Sequence, residues 1–159
     1  MSGELSLLNH QRVRPLNRRL FRDLILELLT ELSHAKDFDL TVHVVNAREM
    51  TRLNETHLQH GGSTDVITFD YAEAVSADAL MGEIFVCMDE ALIQAARFKT
   101  TWQTELVRYV VHGTLHLRGY DDTRPIARRK MKREENRLVN ELNRRFRLRK
   151  LDSKTKVAT

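Results

Sequence analysis

A single cysteine, Cys87, stands among the 159 residues, which rules out a disulfide within the chain and suits a reducing compartment. Long apolar runs are missing as well, and none approaches the eighteen or more residues that a membrane span needs. The opening stretch, MSGELSLLNHQRVRPL, lacks the basic segment and apolar core of a secretory leader. Aromatic residues make up only 6% of the chain, so few rings are available for stacking on nucleobases. These absences point to a cytoplasmic protein with no membrane and no disulfide partner. What is present is ordinary for a globular chain, with 42% hydrophobic and 30% charged residues. The length suits one domain with a real core.

The net charge of +4 is unevenly spread. Residues 1–123 carry 12 Lys and Arg against 18 Asp and Glu, whereas residues 124–150 carry 12 against 3. A body of one sign with a concentrated stripe of the other suits a polyanionic partner, nucleic acid first among them. A solvated helix face is the plainer explanation of the same stripe.

Periodicity predicts interleaved strands and helices, hence an α/β (α+β) domain with a small mixed sheet of about four strands and about five helices. Strands are expected at 5–9, 40–44, 65–70 and 82–87. A core helix is expected over 16–32 and a shorter one over 46–58, broken by HGGST at 60–64. Residues 71–81, small and acidic, read as a mobile loop. Asp89 has the place of an N-cap for a helix over 90–98. Thr100 and Gln103 have capping-box spacing for a helix that starts near Trp102 and ends at Gly119. Thr123 and Pro125 open a last helix with Met131, Leu138, Leu142 and Phe146 as its buried stripe. The domain is expected to span 1–149, with 150–159 a frayed tail.

The chemistry concentrates in the run HGTLHLRGYDD. His112 and His116, four apart on a helix, lie on one face, shared with Glu105, Arg108 and Tyr109, so both rings reach one ion. Gly119 stops the helix, and three further residues span at most about 10 Å, enough to return a carboxylate at Asp122 to that ion. Three protein ligands with a fourth position open to water is the catalytic arrangement of zinc, one ion per chain. Asp121 competes for the ligand role, and Asp122 is also well placed to cap the next helix. Zinc peptidases share this histidine spacing but carry a glutamate base after the first histidine. Here that position is Gly113, which cannot accept a proton from bound water.

The segment from His112 to Asp122 closely resembles the signature H-G-x-L-H-L-x-G-Y-D-H of the YbeY family of endoribonucleases. Upstream, Leu53-Asn54, Thr64-Asp65-Val66-Ile67-Thr68-Phe69 and Gly82-Glu83-Ile84 resemble that family's LN, TDVLSF and GDI blocks, in the same order. The resemblance covers roughly residues 40–145. It implies a single α/β domain with three residues around zinc. It also implies a single-strand-specific endoribonuclease that works with the ribosome and its 30S subunit, in 16S rRNA 3′-end maturation and ribosome quality control.

Two departures stand out. The third ligand, usually histidine, falls on Asp122, whose negative charge makes a bound ion a weaker Lewis acid. Leu58 occupies the position of the family's usual arginine, so His57, His60, Arg52 and Arg108 become the candidates for contacting phosphate or for catalysis. The basic stripe at Arg124, Arg128, Arg129, Lys132 and Arg133 follows the motif directly and is positioned to lead an RNA backbone toward the ion. An RNA-binding assembly factor with a structural metal is the alternative, and a zinc peptidase a weaker one.

Overall fold

A computed structural model describes residues 3–57, 64–72 and 79–154. Four runs of aliphatic residues pair as strands: β1 (Gly3–Asn9), β2 (Asp37–Val45), β3 (Val66–Asp70) and β4 (Ala79–Cys87). Their order across the sheet is β1-β2-β4-β3. Strands β1, β2 and β4 run parallel, and β3 lies antiparallel on the outer edge of β4. The central pair sets Val42 opposite Ile84 and Val44 opposite Val86. All four side chains are fully buried, as expected of parallel strands covered by helices. The five α-helices are α1 (Arg18–Glu27), α2 (Ala47–His57), α3 (Met88–Phe98), α4 (Trp102–Leu117) and α5 (Pro125–Arg145). The main core lies between the sheet and α1, α4 and α5, and a smaller cluster of Val45, Met50, Ile67 and Cys87 sits under α2. The mixed four-stranded sheet with five helices matches the expected α/β class.

Several boundaries differ, each for a local reason. The helix expected over 16–32 starts at Arg18, after Asn17 accepts from the Leu20 amide at 3.1 Å. It widens into a π-helical turn over Leu28–Leu32, next to the Thr30 hydroxyl, which donates to the Leu26 carbonyl at 2.8 Å and loosens the ladder there. Asp89 does not cap its own helix, which begins at Met88; its carboxylate accepts from the Ala47 amide at 2.5 Å and so caps α2. Thr101, rather than Thr100, caps α4 by accepting from the Thr104 amide. Strand β4 begins at Ala79 inside the expected loop, with Leu80 fully buried; residues 73–78 and 60–63 lie outside the described residues. The presumed tail is part of the fold as far as 154. Leu148–Leu151 form a 3-10 turn, Leu151 is fully buried, and Asp152 bridges Leu16.

One packing detail positions the site. A Cβ at Gly113 would stand 2.9 Å from Ile84 Cγ2 and 3.0 Å from Thr68 Cγ2. Only glycine lets α4 lie this close to β3 and β4, so the histidine-bearing helix is seated directly on the edge of the sheet.

Candidate metal centre

Helix α4 is buried on almost every side. Of its sixteen residues only Thr104, Arg108, His112 and His116 escape burial, and they are spaced four apart in one strip. Glu105 and Tyr109, expected on the same face, are only 8% and 4% exposed because α3 and α5 flank the strip, and they line one cavity with Arg108 and His112. The helix ends where Gly119 takes φ +96, a left-handed conformation that favours glycine. The Gly119 amide donates to the His116 carbonyl and the Tyr120 amide to the Leu115 carbonyl, both at 3.0 Å. This paired closure reverses the chain within three residues.

That reversal brings the Asp122 carboxylate back over the strip. Asp122 Oδ2 lies 3.2 Å from His116 Nε2 and 3.6 Å from His112 Nε2, and the two nitrogens are 3.0 Å apart. A tetrahedral ion with bonds of 2.0–2.1 Å requires ligand atoms about 3.3 Å apart, so this triangle has the size of one tetrahedral face. The donor set can therefore hold a metal ion. The rival roles separate. Arg124 occupies the N-cap position of α5, so Asp122 does not cap it. Asp121 is occupied with the Thr123 amide and hydroxyl at 2.9 and 2.7 Å.

Behind the donors sits a residue that sequence reasoning passed over. Glu135 of α5 is 4% exposed, and its Oε1 lies 2.7 Å from His112 Nδ1. A proton on Nδ1 donated to Glu135 leaves the Nε2 lone pair facing His116 and Asp122, the usual way a carboxylate fixes a ligating histidine. Arg108 and Lys132 also donate to Glu135 Oε2, at 2.7 and 3.0 Å. Burial pushes the Glu135 carboxyl up, but hydrogen bonds from His112, Arg108 and Lys132 prevail and hold it down at about 2. Burial likewise pulls His112 down, and its bond to Glu135, with the charges of Glu135 and Asp122, outweighs this and raises it. A signal for Glu135 was present in the sequence. It stands on the buried face between Met131 and Leu138, where an unpartnered charge would be costly.

Two cavities border the donors. One, of about 320 Å³, reaches from His112 and Asp122 between α3 and α5. The other lies along β3 and touches both histidines and Asp122. Asp65, also unforeseen as a site residue, lines both. Among the sequence candidates, Arg108 lines the first cavity, but its guanidinium is held by Glu135 and Asn136. His57 is exposed at the end of α2, edge-on to Phe69 at 5.6 Å, and lines neither cavity. His60 and Leu58 lie outside the described residues. Arg52 pairs with Glu49 away from the donors. Within the basic stripe, Arg128 and Lys132 line the first cavity, whereas Arg124, Arg129 and Arg133 are exposed beyond it.

A small α/β protein with a His-His-carboxylate donor set, built on a core helix and the turn after it, is a candidate metalloprotein. Comparison with known proteins gives the family. The family model described as Endoribonuclease YbeY matches residues 7–143. A protein of Salinibacter ruber named Endoribonuclease YbeY is 35% identical over 117 residues, covering 70% of this chain and 71% of its own. One of the same name from Chlorobium phaeobacteroides is 41% identical over 95 residues, 60% of this chain and 67% of its own. A Thermotoga maritima protein solved in solution superimposes with TM-score 0.63 at 25% identity, over 87% of this chain and 89% of its own. The chain belongs to the YbeY family. Among the described residues no helix is long and apolar enough to cross a membrane.

Proposed function

We propose that this protein is a metal-dependent endoribonuclease specific for single-stranded RNA, that its ion is zinc, and that it acts on ribosomal RNA at the 3′ end of 16S rRNA and in ribosome quality control. The observation that carries the reading is the triangle of His112 Nε2, His116 Nε2 and Asp122 Oδ2, with sides of 3.0, 3.2 and 3.6 Å. It is supported by membership of a family whose relatives are named endoribonucleases. Two imidazoles and one carboxylate are a donor set suited to zinc. A bound ion would supply Lewis acidity toward a phosphate oxygen and lower the pKa of a water molecule. This chain's own residues do the rest. Glu135 orients His112, and Arg108 and Lys132 keep that carboxylate ionised. Arg128, at the mouth of the cavity, faces the charge that develops on phosphate. The exposed arginines 124, 129 and 133 extend the same basic surface along α5 and track the RNA backbone.

The peptidase alternative is disfavoured by packing as well as by chemistry. Position 113 faces Ile84 and Thr68 within 3.0 Å, with no room for a glutamate. One observation favours a second reading, an RNA-binding assembly factor that cleaves little. Two of the cations nearest the donors, Arg108 and Lys132, are already paired with Glu135.

The test is incubation of the metal-loaded protein with single-stranded fragments of the 16S rRNA 3′ region, with and without chelator. Chelator-sensitive cleavage, lost in His116→Ala, is expected. Tight binding without cleavage moves the conclusion to the assembly factor, and casein hydrolysis overturns both.

A further inference from the structure

The cavity that reaches from the donor cluster between α3 and α5 carries chemistry that phosphate binding does not use. Its volume, about 320 Å³, is at the lower end for small-ligand pockets and suits a single nucleotide. At its rim stands Phe98, the last residue of α3, 62% exposed. The Arg97 guanidinium sits over this ring, 5.5 Å from its centre. An exposed phenylalanine beside a guanidinium is a stacking surface of the kind that holds unpaired bases.

The floor has the opposite character. Glu105 lines the same cavity, is 8% exposed, and accepts one hydrogen bond, from the Thr100 hydroxyl on Oε2 at 3.0 Å. Among the described residues it has no other hydrogen-bond partner. An ionised carboxylate only accepts, so this floor repels a phosphate and seeks N–H donors. Gln94, also lining the cavity, makes no hydrogen bond among the described residues. It can both donate and accept.

We infer that this cavity is a nucleobase subsite for the nucleotide next to the scissile phosphate, with the base stacked on Phe98 and its donor edge read by Glu105. The base chemistry follows from the carboxylate. Guanine presents N1–H and N2–H side by side, a pair that one carboxylate accepts together. Uracil offers a single donor flanked by two carbonyl oxygens that Glu105 repels. The inference rests on the endoribonuclease reading and adds a base preference to it.

The experiment measures anisotropy of labelled ten-nucleotide uridine RNAs bound to the full chain in EDTA, so that binding is read without cleavage. The central nucleotide is guanosine, inosine or abasic. Wild type should bind the guanosine RNA at least about 5- to 150-fold more tightly than the abasic one, the range of a single stacked base. Phe98→Ala, a change at an exposed position, should bind the abasic RNA like wild type and narrow the guanosine-over-abasic preference to what Glu105 alone supplies. Glu105→Gln should keep the stacking gain and lose the preference for guanosine over inosine. Equal wild-type affinities for all three RNAs, or additive effects of Phe98→Ala and the abasic change, would overturn the subsite. If chelator-sensitive cleavage of RNA persists with those results, the subsite alone fails. A wild-type protein that neither binds nor cuts single-stranded RNA removes the endoribonuclease reading and the subsite together.

Discussion

Replacing Glu135 tests whether the donor cluster is held ready for an ion by the helix behind it. The carboxylate is 4% exposed and lies 2.7 Å from His112 Nδ1. Glu135→Gln keeps an oxygen able to accept from Nδ1–H but removes the charge that makes the imidazole a better donor. Glu135→Leu removes both and frees the ring to rotate or change tautomer. Losing such a partner typically weakens metal affinity about 10- to 100-fold. The glutamine variant should therefore fall near the lower figure and the leucine variant near the upper, or about 1.4 and 2.7 kcal/mol. The leucine variant also leaves Arg108 without its buried counter-ion, so its folding must be checked by circular dichroism. Competition titration of zinc against a chromogenic chelator gives the dissociation constants. Wild-type affinity in both variants would refute the idea that α5 prepares His112 for an ion.

The same carboxylate predicts an acid limb in stability. Its pKa is about 2 against the ordinary 4.5, a depressed value, so its contribution is complete above about pH 4.5 and is lost as pH falls toward 2. This amounts to about 3 kcal/mol. Urea unfolding of the metal-free protein should show that loss in wild type and a flatter limb in Glu135→Gln; parallel limbs would contradict it. Gly113→Ala, whose new methyl would press on Ile84 and Thr68, should destabilise by about 1–3 kcal/mol in the same assay, and an unchanged midpoint would show that α4 can shift. Replacing Arg128 and Arg129 together should lower the salt slope of RNA affinity by about two if both meet phosphate. An unchanged slope would return the stripe to a solvated surface.

The cluster of His112, His116 and Asp122 that could hold a metal was legible because its signal is local. A four-residue spacing on a helix and a glycine at its end are properties of a few adjacent residues, and α4 carries them out as read. What was illegible depended on partners distant in sequence. Asp89 reads as the cap of its own helix, yet its carboxylate serves Ala47, 42 residues away. Glu135 reads as one more charge in a basic helix until α4 is laid against α5 and His112 comes within reach. Gly113 reads as a missing catalytic base, and the sheet beneath it supplies the further reason that no side chain fits there. The presumed tail failed for the same cause, since the turn that buries Leu151 packs against the distant first helix and Asp152 finds its bridge partner at Leu16.

The most direct test of the central claim is anomalous diffraction at the zinc edge from crystals of zinc-loaded protein. The account predicts a single peak per chain, about 2.0–2.2 Å from His112 Nε2, His116 Nε2 and an Asp122 oxygen. A peak bound by the two histidines with Asp122 turned away, or no peak at the cluster, would contradict it.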